Sequence, residues 1–338
     1  MKIGILTSGG DAPGINAAIR GVGKTAINHY GMEVVGILNG FSGLLYEDIV
    51  TLTDESLSGI LTLGGTILGT AREKAFRKMI TSPDEKDRAK IKEAYHKLGL
   101  DCLVCIGGNG TQRTTWLLHD DLGLNVVGVP KTIDNDVFGT DITFGFDTAV
   151  NIATEAIDRL HSTASSHRRV MVIELMGHHV GWITLYAGMA GGADIILLPE
   201  FGYNMNVVID SIRARMELGK AYSIVAVAEG ISVPSKKSPA RYFAEAIQQH
   251  TGYETRETVL GYVQRGGSPS PFDRNLGTLL GGHAAQLIYE KQFGRMVAKV
   301  GNQITDVALE EVAGKLRVVT ENTPLVVQGK RMGVSFGV

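Results

Sequence analysis

Only two of the 338 residues are cysteine, and they stand close together as Cys102 and Cys105. That scarcity excludes a disulfide-stapled scaffold, and a chain of this length needs none to bury a core. Their C-x-x-C spacing falls inside the apolar run Asp101-Cys-Leu-Val-Cys-Ile106. On a strand, positions three apart face opposite sides, so the pair does not grip one metal; a redox C-x-x-C opens a helix instead of filling a strand. Two buried small residues in a reduced, cytoplasmic setting are the expectation. An excess of one charge is also missing, with 33 basic against 35 acidic residues and a net charge of −2. No broad field therefore draws the chain to nucleic acid or to an anionic membrane. Long unbroken apolar runs are absent: the most apolar window, 180–199, carries Asp194 and several glycines, which makes it core and not a membrane span. The first residues enter Lys2-Ile-Gly-Ile-Leu6 with no signal-peptide pattern. Solenoid-period repeats, low-complexity tracts and long charge blocks are lacking too.

Glycine is abundant. The 43 glycines exceed the roughly 7% of average usage, and many form doublets where apolar runs end. A strand over 2–6 leads through Thr7-Ser-Gly-Gly-Asp-Ala-Pro-Gly-Ile-Asn16 into a helix over 16–29. Such a turn lets backbone N–H groups approach an anion at a helix N-terminus, although it matches neither G-x-G-x-x-G nor a Walker A motif. A strand over 32–38 follows, then Gly64-Gly65-Thr66 and Thr70-Ala71-Arg72, a loop with an aimed arginine and with Arg77 five residues on. Residues 82–98 have the spacing of an exposed amphipathic helix. The buried strand 102–106 then runs into Gly107-Gly-Asn-Gly-Thr-Gln112 and a helix over 114–121, a second backbone cradle for phosphate.

After a buried strand over 125–129 comes the stretch richest in chemistry, Pro130-Lys-Thr-Ile-Asp-Asn-Asp136. Ligands bind at the carboxyl ends of strands in open α/β sheets. If this segment is extended, Asp134 and Asp136 share a side, one suited to act as a base and the other to hold a divalent cation. Lys131 and Thr132 add a charge and a hydroxyl. A polar turn with Asx hydrogen bonds is the plainer reading of the loop alone; the two glycine cradles favour a phosphoryl-transfer site. Further on, helices are expected over 147–161, 206–218, 240–250 and 272–289, the last with Leu276, Leu279, Leu280, Leu287 and Ile288 on one stripe. Strands are expected over 170–175, 194–198 and 222–228, with an apolar run over 258–263, and 318–338 reads as irregular with a short strand. Strands alternating with helices throughout indicate a doubly wound α/β architecture, twice over.

The elements Thr7-Ser-Gly-Gly-Asp-Ala-Pro-Gly-Ile-Asn16, Gly107-Gly-Asn-Gly110, Pro130–Asp136, Met176-Gly177 and Gln264-Arg-Gly-Gly-Ser-Pro269 stand in the order found in 6-phosphofructokinases, a resemblance covering residues 1 to about 310. The resemblance implies two doubly wound, Rossmann-like three-layer α/β domains with the active site in the cleft between them. Residues 1–145 plus about 262–312 would form the nucleotide domain, and 146–261 plus about 313–338 the sugar-phosphate domain. It implies a glycolytic kinase that transfers phosphoryl from ATP, with Mg²⁺, to the 1-hydroxyl of fructose 6-phosphate. By matching motif positions, Asp134 looks like the base, Thr132 and Asp136 stand beside it, and Asp136 and Asn109 look like metal neighbours. Gly10, Arg72 and Lys131 would hold the moving phosphate, and Phe41, Arg77 and Gly107, Gly108, Asn109, Gly110 and Thr111 would contact the nucleotide. Met176, Gly177, His178, Glu229, Tyr262 and Arg265 would line the sugar phosphate. Arg169 and Arg256 resemble arginines that reach a neighbouring subunit, which implies a homotetramer, with a homodimer as the alternative.

The chain departs from the well-studied bacterial pattern in four places: Asn109 replaces an aspartate, Lys131 a glycine, His178 an arginine and Tyr262 a histidine. Asn109 gives a cation no formal charge, and Lys131 suits pyrophosphate as well as ATP. A pyrophosphate-dependent enzyme and a weakly catalytic, regulatory or sugar-phosphate-binding paralogue are therefore the alternative readings. The effector pocket of regulated relatives keeps Arg20, Lys24 and Lys220 here. Asp54 lies where an arginine is expected, and His161, Ala221 and Tyr222 replace further basic residues.

Overall fold

The structure, a computed structural model, describes residues 1–338 apart from Glu73 and Pro83. The chain begins β1 (Lys2–Ser8), α1 (Ile15–Asn28), β2 (Glu33–Ile37), α2 (Phe41–Tyr46), β3 (Ile49–Leu52), α3 (Lys74–Ile80) and α4 (Glu85–Lys97). It continues β4 (Cys102–Gly107), α5 (Asn109–Asp120), β5 (Val126–Pro130), α6 (Phe146–His167), β6 (Val170–Leu175), α7 (Trp182–Ala190) and β7 (Ile195–Leu197). Then come α8 (Met205–Glu217), β8 (Ser223–Ala228), α9 (Pro239–Thr251) and β9 (Thr255–Val259). The last elements are α10 (Pro271–Tyr289), β10 (Arg295–Val300), β11 (Gln303–Ala308), α11 (Leu309–Val312) and α12 (Pro324–Arg331). Two compact units result: Met1–Asp147 with Arg265–Arg317, and Thr148–Gln264 with Val318–Val338.

The first unit is built on a seven-stranded sheet in the order β11-β10-β5-β4-β1-β2-β3, parallel except for its antiparallel edge strands β3 and β11. Strands β4 and β5 are buried along their whole length, which is why they read as unbroken apolar runs and not as alternating ones. Cys102 and Cys105 are two of those buried positions, both as free thiols. The register matters most for function. Ser8 pairs with Gly107 and Gly107 with Pro130, so β1, β4 and β5 end level and their three loops leave the sheet side by side. Helix α1 packs on α10 at backbone distance: a Cβ added at Gly21 would stand 2.6 Å from the Thr278 carbonyl oxygen.

The second unit carries a four-stranded, all-parallel sheet in the order β7-β8-β6-β9. Its core gathers Val172, Ile195, Val225, Phe243 and Ile247 from sheet and helices. Both units are thus α/β, as expected from the alternation of elements.

Several expectations are corrected. Helix α5 begins at Asn109 and not near 114, because Gln112 N–H closes on the Gly108 carbonyl at 2.9 Å despite the weak helix propensity of Asn109 and Gly110. Helix α4 starts at Glu85, where Asp84 caps it by accepting from Lys86 N–H; Pro83, within the expected span, lies outside the described residues. The apolar run 258–263 overlaps β9, which begins at Thr255 and stops at Val259. The apolar window 180–199 divides into α7 and β7. Leu279 leaves the proposed stripe of α10 and is 55% exposed, whereas Leu276, Leu280, Leu287 and Ile288 are buried. The segment 318–338 contains helix α12, opened by Pro324, and its only pairing among the described residues is an isolated bridge from Ile195 to Ser335.

Candidate active site

The three level strand ends of the first unit open onto a cavity of about 340 Å³. From the loop after β1 it is lined by Ser8, Gly9, Gly10 and Asp11, and from the turn after β4 by Gly108, Asn109, Gly110 and Thr111. The loop after β5 supplies Lys131, Thr132, Ile133 and Asp134, and Arg72, Lys74, Arg77 and Arg265 close the wall. Five cationic side chains (Arg72, Lys74, Arg77, Lys131 and Arg265) thus face two carboxylates, Asp11 and Asp134. That balance favours a polyanion. Helix α5 has no side-chain cap, so the N–H groups of its first turn are free to bind an anion at its positive end.

Each loop is braced. Gly9 N–H donates to the Ala71 carbonyl at 3.2 Å and Thr70 Oγ1 to the Gly9 carbonyl at 2.7 Å, which ties the Arg72 loop to the end of β1. Buried Asn16 holds the same loop further up, accepting from Ile67 N–H at 2.8 Å and donating to the Leu63 and Gly64 carbonyls at 3.1 and 3.3 Å. Of the two cradles, α5 lines the cavity with its first turn, whereas the first cradle lines it only through the loop before α1.

The Asp134 loop is not extended. Asn135 has φ +53°, and its Oδ1 accepts from Thr143 N–H at 2.9 Å, while Thr143 Oγ1 donates to the Thr132 carbonyl at 2.8 Å. The left-handed residue breaks the alternation that would place both carboxylates together. Asp134 lines the cavity; Asp136 is 9% exposed and is not among the lining residues. The Asp136 carbonyl instead accepts from Asn109 Nδ2 at 3.2 Å and from Arg317 N–H at 2.9 Å. Its carboxylate still acts electrostatically on Lys131, which lines the cavity.

Lys131 is buried, with its Nζ donating to the Gly10 carbonyl. Burial pulls its pKa down from 10.5 to about 8, helped by the Arg265 guanidinium and opposed by Asp11, Asp136 and Asp134. The charged form is present below about pH 8 and is lost above it. If that charge holds the donor, kcat/KM for ATP should fall up to tenfold per pH unit above this pKa, since kcat/KM reports the free enzyme. In Lys131→Met the alkaline limb should vanish; an unchanged limb in a pH–rate profile would assign it to another group.

Two expected nucleotide contacts lie elsewhere. Phe41 is fully buried, its ring stacked on Phe76 at 4.8 Å between centroids, and so belongs to the core. Gly107 is buried too, and its carbonyl accepts from Lys131 N–H at 3.0 Å and Gln112 Nε2 at 2.8 Å, so it supports the cradle from behind. Arg77 stands at the first turn of α5, Nη2 donating to the Gly110 carbonyl at 3.4 Å and Nε to Thr114 Oγ1 at 3.3 Å. Arg265, read as a sugar-phosphate ligand, stands next to Gly10: a Cβ there would be 3.1 Å from Arg265 Nη1. Sequence reasoning did not assign Ser8, Asp11 or Lys74, although Ser8 and Asp11 stand inside the motif it singled out; Lys74 had no motif to mark it.

In the second unit the ends of β6 and β8 bring together Met176, Gly177, His178 and Glu229. Glu229 N–H donates to the Leu175 carbonyl at 2.8 Å, and Gly230 N–H to the Gly177 carbonyl at 3.1 Å. Gly177 has φ +136°, a conformation open mainly to glycine. His178 is exposed beside His179, and Tyr262 is 75% exposed. Arg169 and Arg256 share one partner that the sequence did not suggest: the Glu254 carboxylate pairs with Arg169, whose Nε lies 2.7 Å away, and accepts from Arg256 Nη2 at 2.6 Å. The Arg169 guanidinium in turn holds the Glu254 carboxyl below its ordinary pKa.

Among the described residues no three His, Cys, Asp or Glu side chains cluster as a metal cage. Mg²⁺ in phosphoryl-transfer sites needs only one or two protein oxygens, with phosphates and water completing its shell. Asn109 Oδ1 lines the cavity, buried and with no hydrogen-bond partner among the described residues, and so fits the role of one such oxygen.

Comparison with known proteins agrees with this geometry. The profile of the phosphofructokinase family matches residues 2–288. The chain is 63% identical over 337 residues to ATP-dependent 6-phosphofructokinase 3 of Bacteroides thetaiotaomicron, covering all of both chains. It is 52% identical to ATP-dependent 6-phosphofructokinase of Spirochaeta thermophila, over 99% of this chain and 97% of that one. Among solved structures, phosphofructokinase from Saccharomyces cerevisiae superposes with a TM-score of 0.82 at 33% identity, over 92% of this chain and 45% of that longer one. A pyrophosphate-dependent phosphofructokinase from Marinobacter aquaeolei has the same fold, with a TM-score of 0.85 at 23% identity over 100% of this chain and 93% of that one. The chain belongs to the phosphofructokinase family.

Proposed function

We propose that the protein transfers the γ-phosphoryl group of ATP to the 1-hydroxyl of fructose 6-phosphate, giving fructose 1,6-bisphosphate in glycolysis. The observation that carries this reading is the convergence of Asp134, Lys131, Arg72, Gly10 and the first turn of α5 on one cationic cavity. Phosphoryl transfer is largely a matter of positioning and of stabilising charge on the phosphoryl oxygens. The α5 amides and Arg77 hold the donor's phosphates, Arg72, Lys131 and the Gly10 backbone neutralise the moving group, and Asp134 accepts the proton of the acceptor hydroxyl. Thr132 Oγ1 receives Asp134 N–H at 3.1 Å and keeps that loop in shape. Asn109 and Asp136 would hold Mg²⁺ with the donor's phosphates, and the ion would supply further neutralisation of donor charge. Met176, Gly177, His178, Glu229 and Tyr262 are assigned to the sugar and Arg265 to its phosphate, with Arg169 and Arg256 acting in an oligomer, a homotetramer or a homodimer. Among the described residues no helix is long and apolar enough to cross a membrane, and a cytoplasmic setting is part of the proposal.

Pyrophosphate is the second reading for the donor, on the strength of Lys131. The names of the two similar bacterial relatives and the small Gly110 favour ATP. The third reading, a weakly catalytic paralogue, conflicts with the presence of Asp134, Arg72 and Gly10 together. A coupled assay with fructose 6-phosphate, run with ATP and then with pyrophosphate, is the test. Turnover with ATP at least tenfold above that with pyrophosphate is expected, and no turnover with either would overturn the assignment.

The effector response should be absent. Lys24 Nζ donates to Asp54 Oδ1 at 2.8 Å and to Ser58 Oγ at 3.0 Å, and Asn28 Nδ2 donates to the same carboxylate oxygen at 2.8 Å. In the second unit His161 bonds Tyr222 Oη at 3.0 Å and the Gly191 carbonyl at 2.6 Å. An aspartate paired with Lys24 repels phosphate and neutralises that lysine's charge. ADP and phosphoenolpyruvate, titrated at sub-saturating fructose 6-phosphate, should shift half-saturation by less than about twofold; a several-fold shift would refute this.

A further inference from the structure

We propose that Gln112 is a positioning residue that fixes the spacing between the donor cradle and the Asp134 loop. The proposal rests on the reading of the cavity as the phosphoryl-donor site. Gln112 lies in α5 three residues after Asn109 and is fully buried. Its Nε2 donates to the Gly107 carbonyl at 2.8 Å and to the Val129 carbonyl at 3.0 Å. One of these carbonyls ends β4 and the other stands one residue before the end of β5. A single amide thus spans the two strand ends from which the phosphate cradle and the Lys131–Asp134 loop depart.

Two features set this apart from ordinary core filling. Gln112 Oε1 is buried with no hydrogen-bond partner among the described residues. A methionine would fill similar volume without desolvating a carbonyl, so the amide is retained for its donors. Gly128 is the second feature, because a Cβ added there would collide with Gln112 Oε1. Glycine in the middle of a buried strand weakens it and here leaves room for the amide. Lys131 N–H on the Gly107 carbonyl holds the strands together but not α5 to β5, and Asn109 Nδ2 ties α5 only to the far side of the loop, at the Asp136 carbonyl. Gln112 joins the helix to both strands.

The expected signature is kinetic. A misplacement of about 1 Å between reacting groups costs up to ~10²-fold in rate. Gln112→Met keeps length and volume and removes both donors. With ATP and fructose 6-phosphate, its kcat should fall roughly 10- to 100-fold, while KM for each substrate stays within about threefold, because the cradle and its charges remain. Gly128→Ala, which pushes the amide from its seat, should show the same split, and it decides the matter if Gln112→Met does not fold. A lower melting temperature with kcat within twofold of wild type would make Gln112 a structural residue and overturn the proposal. A raised KM at unchanged kcat would overturn it too, by placing the loss in binding. Wild-type protein inactive with both donors would instead overturn the reading of the site, and this role with it.

Discussion

Asp134→Asn should leave the fold and donor binding intact and lower kcat by at least about 10²–10⁴-fold, the usual contribution of a general base. The substitution is nearly isosteric, and groups other than the carboxylate brace the loop around it. Asn135 accepts from Thr143 N–H, Thr143 Oγ1 donates to the Thr132 carbonyl, and Asp134 itself is tethered through its backbone N–H. What disappears is the proton acceptor and one negative charge. Initial rates at saturating ATP and fructose 6-phosphate, with melting temperature as the control for folding, provide the measurement. Retention of more than about a tenth of wild-type turnover would remove Asp134 from the role of base.

Gly110→Asp should depress kcat/KM with ATP by roughly 10²–10³-fold and change activity with pyrophosphate far less. Gly110 is exposed and is the second residue of α5. Its φ is not in the left-handed region, and a carboxylate in the first turn of a helix is electrostatically favourable, so the fold should tolerate the change. The added side chain would start 3.0 Å from Arg77 Nη2 and would pair with it, withdrawing that guanidinium from the donor. It would also bring a negative charge to within about 4 Å of a nucleotide phosphate. At an effective dielectric near 20 that repulsion approaches about 4 kcal/mol, some three decades in rate. Comparison of kcat/KM for both donors in wild type and variant tests it, and equal losses with the two donors would show that position 110 does not discriminate between them.

The parts of this site that rest on short, chemically distinctive runs were legible in the sequence. The strand 102–106 and the strand before Pro130 announced themselves as unbroken apolar segments, and the polar loops that follow them carry the cavity lining. Lys131, Thr132, Asp134, Arg72 and Gly10 were all named from motif positions, and all line one cavity. What failed depends on backbone conformation. The first turn of α5 was read as loop because asparagine and glycine are poor helix formers, yet the chain closes into helix at Asn109. The left-handed Asn135 separated two carboxylates that a simple alternation would have paired. Phe41, placed at the nucleotide by motif position, is a core residue stacked on Phe76. Gln112 and Asn16 were unreadable as braces, since a lone polar residue in a helix gives no sign of whether its amide meets water or a strand end. Glu254 was invisible for a related reason: an exposed glutamate becomes informative only when two arginines are seen to share it.

The discontinuity of the first unit bears on how the protein is made. Synthesis delivers β1, α1, β4 and β5 early, but the face of α1 around Gly21 is shaped to receive Thr278, and β5 gains its outer neighbour only with β10. The second unit lies almost wholly between these partners in the sequence. A nascent chain therefore carries an unfinished first unit, with a bare helix face and an open strand edge, while the second is being synthesised. Unpaired edges and exposed apolar surface of this kind are what chaperones recognise and what aggregation exploits. The order of translation thus sets the second unit as the first able to complete its own sheet, and the cavity gains its last wall only afterwards, when Arg265 arrives.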